Sequence, residues 1–516
     1  MTRKIGVIGA GLSGLVAIKE LLEEGHDVIC FEKNNDIGGV FSELGSYDSV
    51  ELTVSNYFMA YSDFMPHNEP VKFWTRQEYK KYLDDYAKHF NLHKHIKFNC
   101  KVNHIEDTKD TFVVTGIDES NTSFSETVEK LAICSGQFQA PNIPVIKGLE
   151  SFAGQIMHSS AYKNAESCKH LHGKKVLCLG AGESAADVVT EISEVAGKTL
   201  LSLRRNHLFS QKYVGDNITI DMVQTRFWHS IPSSNKAKAV RKIWQGVSKS
   251  TKSKAMALLA DHVINAPDEP GSVATKTERI FEAAANGMEI DIGGIKQIIG
   301  NEVEFESGRI EKFDAIVFCT GFKFSLPFME EINQFSDIRD CYLQIFHENY
   351  RERVGFIGFA RPQQGGVPLI AELQSRYFAQ LASEKIELPH NLSELAQKDK
   401  KMWQEEFYET PHVFGLVNGQ RFNEKIADLI GCRLPMPSLF LSPKAFHVYW
   451  FHHVWPCQFR VVGPGSRDLA KKQWLTSPSI YSWKKKYLLT LSLIYKWTVA
   501  KLSRHQDKKW RPTFKS

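Results

Sequence analysis

One arrangement constrains this chain more than any other: a glycine turn set between an apolar run and a helix, and it occurs twice. Gly9-x-Gly11-x-x-Gly14 follows the apolar run Lys4–Ile8 and opens a segment, Leu15 to Gly25, with Leu15, Ile18, Leu21 and Leu22 at helical spacing. A second run, Asp27 to Phe31, ends on Glu32. This reads as strand, tight turn, helix and strand. In such a unit the first glycine permits the turn. The second lets backbone amides approach a pyrophosphate on the helix N-terminus, and the third lets helix and strand pack closely. The pattern returns about 170 residues later. Lys174–Leu179 is a strand, Gly180-Ala181-Gly182-Glu183-Ser184-Ala185 the turn, Ala186 to Val195 a helix and Thr199–Leu203 the next strand. Ala185 replaces the third glycine, as the fingerprint allows.

The two units differ where a nucleotide would notice. Glu32 falls 18 residues after Gly14, where a carboxylate binds the hydroxyls of an adenosine ribose. The second unit instead runs into Arg204-Arg205, and arginine accommodates a 2′-phosphate. Gly38-Gly39 allows backbone approach to a second part of the first nucleotide. An acid-ended site and an arginine-ended site on one chain imply FAD plus NADPH. The predicted fold is α/β, with two Rossmann-like dinucleotide-binding domains, the NADPH domain inserted in the FAD domain. The expected boundaries are 1–165 with 314–480 for the discontinuous FAD domain and 166–313 for the NADPH domain, with a basic amphipathic tail at 481–516. Lys130–Gly136 and Asp314–Gly321 read as strands returning to a nucleotide-binding sheet, and Ser307-Gly308 marks a hairpin.

Composition adds exclusions. At 42% hydrophobic and 24% charged, the 516 residues are ordinary for a globular protein. The net charge of +5 is thin for so long a chain and does not point to nucleic acid. It concentrates in a Lys-rich helical insertion at about 216–271 and in the tail. None of the nine cysteines forms a C-x-x-C pair, which argues against a zinc knuckle and a dithiol centre. No metal is expected, and oxygen or a small molecule becomes the favoured electron acceptor. No signal peptide is visible and the thiols suit a reducing compartment, so a cytoplasmic setting is expected. Tyr487 to Tyr495 is too short to span a bilayer, which takes about 18 apolar residues. The tail is read two ways: as a peripheral contact with an anionic membrane, or as a helix packed on the body.

Between the two units lies Phe152-x-Gly154-x-x-x-His158-Ser159-x-x-Tyr162. It resembles the signature of flavin-containing monooxygenases; a Trp in place of Tyr162 would instead resemble the Baeyer–Villiger enzymes. Glu32-Lys33 to Gly38-Gly39-Val40-Phe41, Phe318-Cys319-Thr320-Gly321-Phe322, Phe356–Phe359 with Glu372–Tyr377, and Pro456–Gly465 are similar to further runs of that family. The resemblance covers roughly residues 4 to 475. It implies cofactor contacts from Gly9, Gly11, Gly14, Glu32, Gly38, Gly39, Gly180, Gly182, Ser184, Arg204, Arg205, Thr320, Gly321 and Gln374. It also implies a cycle in which NADPH reduces FAD, O2 forms a C4a-hydroperoxyflavin, and a soft nitrogen or sulfur nucleophile takes the distal oxygen. Asn56, ahead of Ser62-Asp63-Phe64, is the candidate for the family's flavin-facing Asn, though the interval looks shorter than in the animal members. The alternative reading is a loop Asn in an Asx turn. His158 is expected to be structural or a hinge residue. Competing functions are a Baeyer–Villiger-type ketone monooxygenase, an uncoupled NADPH oxidase and a nucleotide-sensing protein without catalysis. A homodimer is allowed for.

Overall fold

Each glycine turn lies in its own five-stranded parallel sheet. The computed structural model describes residues 2–214, 218–231, 233–266, 273–329, 335, 337–407 and 415–502. In the first sheet the strands run in the order Val354–Phe356, Lys130–Ile133, Lys4–Ile8, Asp27–Phe31, Ile96–Lys97. In the second the order is Glu289–Ile292, Lys198–Leu203, Lys175–Leu179, Ala315–Phe318, Gln155–His158. All neighbours in both sheets are parallel. Parallel strands covered by helices on their faces read as continuous apolar runs, and Ile5, Val7, Val176, Leu177 and Cys178 are wholly buried. The turns lead into helices Leu12–Glu23 and Glu183–Val195.

The domain limits differ in one respect from the expected ones. Strands Gln155–His158 and Ala315–Phe318 fall outside 166–313, yet both belong to the second sheet. The reason is hydrogen bonding: Lys175–Leu179 needs a partner on its free side, and Ala315–Phe318 supplies it. The chain crosses between the sheets twice, and the crossings pair antiparallel, Phe322 with Pro141 and Lys323 with Ala140. The expected hairpin forms between Glu302–Phe305 and Ile310–Lys312. Within the Lys-rich stretch stand helices Arg226–His229, Ser233–Ser250 and Lys254–Asn265, the last packing Leu259 and Val263 against Phe209 and Phe281. Residues 216–217, 232 and 267–271 of that stretch lie outside the described residues.

The tail begins as helix Trp483–Leu502. Lys486, Thr490 and Leu493 are buried against the body, whereas Trp483, Tyr487, Leu488 and Leu491 are exposed. Lys486 Nζ donates to His452 Nε2 at 2.9 Å, while His452 Nδ1 faces the Ser477 carbonyl. Burial, and then Lys486, lower the His452 pKa to about 4, so the ring is neutral and free to accept. Among the described residues no helix is long and apolar enough to cross a membrane. Residues 503–516 of the expected tail lie outside the described residues.

A buried ion network ties the C-terminal half to the first turn's helix. Lys19 Nζ lies 3.0 Å from both Glu20 and Glu23 and also pairs with Asp63. These three carboxylates converge closely enough to ligate a cation, and the Lys19 ammonium takes that place. Arg460 pairs with Glu20, with Glu372 at 3.0 Å and with Asp63 at 3.4 Å, and its Nε donates to Ser62 Oγ at 2.9 Å. Burial pushes the Asp63 carboxyl up, but Arg460 and Lys19 outweigh it and hold Asp63 below the usual carboxylate range. Removing one partner leaves buried charge uncompensated, which typically costs about 3–5 kcal/mol. Arg460→Met is therefore expected to lower stability by about that amount in chemical denaturation. An unchanged midpoint and slope would show that the network carries no net stability.

Candidate functional site

The first turn leaves no room for side chains. Gly9 has φ +98, and a β-carbon there would stand 2.9 Å from the Cys134 carbonyl oxygen; one on Gly14 would stand 1.8 Å from the Gly9 carbonyl oxygen. Helix Leu12–Glu23 begins on Gly11 with no side-chain cap, so its first N–H groups are left for an anion. Gly38 and Gly39 have φ +103 and +58, and a β-carbon on Gly39 would lie 3.2 Å from Gly11 Cα. The two glycine pairs thus form one backbone cradle. Glu32 is buried beside it, accepting from Ala10 N at 2.7 Å and Asn34 N at 2.9 Å. Each carboxylate oxygen keeps a lone pair for a ribose hydroxyl. Gly358 closes the cradle from the far strand, since a β-carbon there would meet Ser13 Oγ at 1.9 Å.

Gln374 holds Gly358, two residues past strand Val354–Phe356. It is wholly buried, its Oε1 accepts from Gly358 N at 2.9 Å, and its Nε2 donates to the Leu343 carbonyl at 3.2 Å. The amide expected to contact cofactor is engaged by protein backbone.

The second turn repeats the first. Gly180 has φ +124 and a β-carbon there would stand 2.2 Å from the Cys319 carbonyl oxygen. Helix Glu183–Val195 begins on Gly182, again without a side-chain cap, and nothing lies within 4 Å of the β-carbon position of Gly182. Ser184 is half-buried next to Tyr47, whose hydroxyl donates to Asp187 at 2.8 Å. Tyr162 donates to Glu191 on the same helix. Arg204 and Arg205 are exposed just past strand Lys198–Leu203. Both sites fit their nucleotides: an open backbone turn, with a carboxylate beside one and guanidinium groups beside the other.

Between the turns, Thr320 and Gly321 lead into the crossing strand Phe322–Lys323. Thr320 Oγ1 donates to the Asn142 carbonyl, and Asn142 N donates to the Gly321 carbonyl at 2.9 Å. His158 Nε2 donates to the same Gly321 carbonyl at 3.0 Å, so Nδ1 is the acceptor from Ser160 N at 3.1 Å. Burial lowers the His158 pKa, and both ring nitrogens are engaged. The ring pins the crossing.

Asn56 lies at the seam between the units and is wholly buried. Its Nδ2 donates to the Pro70 carbonyl at 3.0 Å, and its Oδ1 accepts from Tyr57 N at 3.0 Å and Lys72 N at 3.2 Å. One N–H of the amide lies beyond these bonds. The segment around it is held from the second unit. Asp221 accepts from Ser55 N at 2.6 Å, Lys276 Nζ donates to the Thr53 carbonyl at 2.7 Å, and Lys212 pairs with Glu51. Sequence reading missed Asp221, Lys212 and Lys276. Their only signal was their place in or beside an insertion, since their partners lie more than 160 residues away.

Residues 2–484 match the family described as FMO-like, flavin-binding monooxygenase-like. The chain is 39% identical over 493 residues to a 4-hydroxybenzoate brominase (decarboxylating) from Marinomonas mediterranea, covering 94% of each. It is 29% identical over 509 residues to flavin-containing monooxygenase 5 from Homo sapiens, covering 92% of each. Its fold is similar to that of S-allyl-L-cysteine S-oxygenase from Allium sativum, with TM-score 0.60 and 19% identity, over 84% of this chain and 89% of that one.

The crowding at Gly14 generates a direct expectation. Gly14→Ala forces the turn open, because its β-carbon would sit 1.8 Å from the Gly9 carbonyl oxygen, far inside contact distance. FAD retention after gel filtration, read by flavin absorbance, should fall by about tenfold or more in affinity. Undiminished retention would show that the turn does not carry the cofactor.

Proposed function

Since the chain belongs to the flavin-binding monooxygenase-like family, we propose that it uses NADPH and O2 to oxygenate a soft nucleophile, the nitrogen or sulfur of a small molecule. The observation that supports this most is the pair of uncapped glycine turns on one chain, one beside Glu32 and one beside Arg204 and Arg205. Bound FAD supplies the oxygen activation and transfer. The chain's own residues bind, orient and shield. We assign FAD to the unit of the first sheet and NADPH to the inserted unit, with strands Gln155–His158 and Ala315–Phe318 counted in the latter. Asn56 is assigned the role of a neutral donor at the reacting oxygen, through the N–H not given to Pro70. An amide donates without offering a strong acid that would expel peroxide.

The 39% identity to the Marinomonas brominase favours a second reading of the nucleophile. Here the oxidised nucleophile is bromide, and a phenolic ring such as that of 4-hydroxybenzoate is brominated with loss of its carboxylate. One experiment separates the readings. The FAD-loaded protein is given NADPH or NADH with a thioether, a tertiary amine, a ketone, or bromide plus 4-hydroxybenzoate, and products are identified by mass spectrometry. A sulfoxide or N-oxide formed preferentially with NADPH is expected. A bromophenol supports the second reading, an ester the Baeyer–Villiger alternative, and peroxide alone an uncoupled oxidase.

The exposed flank of Trp483, Tyr487, Leu488 and Leu491, beside Lys484 and Lys485, supports contact with an anionic membrane surface. Deleting residues 483–516 should abolish co-sedimentation with anionic liposomes, and binding that survives the deletion counts against this contact.

A further inference from the structure

The second glycine turn carries a residue that ordinary pyrophosphate binding would not call for. Glu183 is the first residue of helix Glu183–Val195, directly after the open Gly182. Its Oε1 accepts from Lys276 N, next to Thr275, whose hydroxyl donates to the Ala181 carbonyl of the same turn, so the carboxyl stands beside the turn whose N–H groups face the nucleotide. A carboxylate there would repel the two negative charges of a pyrophosphate. We propose that Glu183 makes nucleotide binding proton-coupled, its carboxyl carrying a proton whenever the pyrophosphate of NADPH rests on this turn. The inference rests on the assignment of NADPH to the second unit.

The surroundings of Glu183 do not neutralise it in the usual way. Its one hydrogen bond is long, Oε1 accepting from Lys276 N at 3.3 Å. Among the described residues no lysine or arginine forms an ion pair with it. Two lysines that pull on it are committed elsewhere: Lys276 Nζ to the Thr53 carbonyl and Lys212 Nζ to Glu51. Arg361 faces it from the first unit and acts only at longer range. Asp187, one turn along the same helix, is taken by Tyr47 and by Arg279 at 3.1 Å. Burial pushes the Glu183 carboxyl up to about 7, against the opposing pull of Lys276, Arg361 and Lys212. The carboxyl is thus poised to be neutral or charged near neutrality before any nucleotide arrives. A bound pyrophosphate adds negative charge and raises it further, so binding above neutrality takes a proton from solution.

The test uses the FAD-loaded, full-length protein and NADP⁺. Between about pH 7.5 and about pH 9, where the 2′-phosphate is already a dianion, the wild-type Kd should rise toward about tenfold per pH unit. The Glu183→Gln variant should show a flat Kd over the same range. Calorimetry of the wild type in buffers of different ionisation heat gives a second readout that needs no variant: uptake approaching about one proton per nucleotide at the alkaline end. Parallel pH curves for the two proteins, or no proton uptake by the wild type, would overturn the inference. Failure of the wild type to bind NADP⁺ even below neutrality would instead overturn the assignment of NADPH to this unit, and the inference with it.

Discussion

In both halves of this protein a backbone carbonyl stands too close to a glycine to admit a β-carbon. Cys134 O stands behind Gly9, and Cys319 O stands behind Gly180. The two carbonyls come directly after equivalent strands, Lys130–Ile133 and Ala315–Phe318, each hydrogen-bonded to the strand that leads into its glycine turn. This approach sets the height at which each following helix starts. It thereby sets where the uncapped N–H groups lie, and so where a pyrophosphate can rest. Everything downstream, from the Glu32 carboxylate to the seam at residues 51–56, is placed relative to those two turns.

The first turn is also braced from the far end of the chain. Arg460 reaches from the turn Pro456–Arg460 to Glu20 on the helix that Gly11 opens, and to Glu372 on helix Val367–Ala382. Gln374 on that same helix fixes Gly358, which seals the cradle over Ser13. Charge on one side and an amide on the other therefore lock segments around residues 13–20, 358–374 and 460 about one backbone turn. Buried ionic groups of this kind define geometry more surely than they add stability.

How much of this was legible in the sequence depends on how local each feature is. The glycine turns, Glu32 and the arginine pair were readable because the strand, the turn and the helix that give them meaning are adjacent. The returning strands were readable too, but not their sheet: Ala315–Phe318 pairs with Lys175–Leu179, a partner no local pattern names. Gln374 and Asn56 show the limit. Both are polar residues in suggestive runs, yet their amides are largely consumed by backbone groups at positions 343, 358, 70 and 72. Of the two readings offered for the tail, the packed helix is visible at Lys486, Thr490 and Leu493, which are buried against the body.

The paired crossing strands have a mechanical consequence. Both connections between the two units run side by side, Ala140–Pro141 against Phe322–Lys323, with His158 bonded to the Gly321 carbonyl. Those two connections therefore act as one double strap and not as two separate tethers. The bonds from Lys276 to Thr53, from Lys212 to Glu51 and from Tyr47 to Asp187 tie the units again at places away from it. With ties at separate places, the spacing between the two glycine turns is set by several fastenings and not by the covalent chain alone.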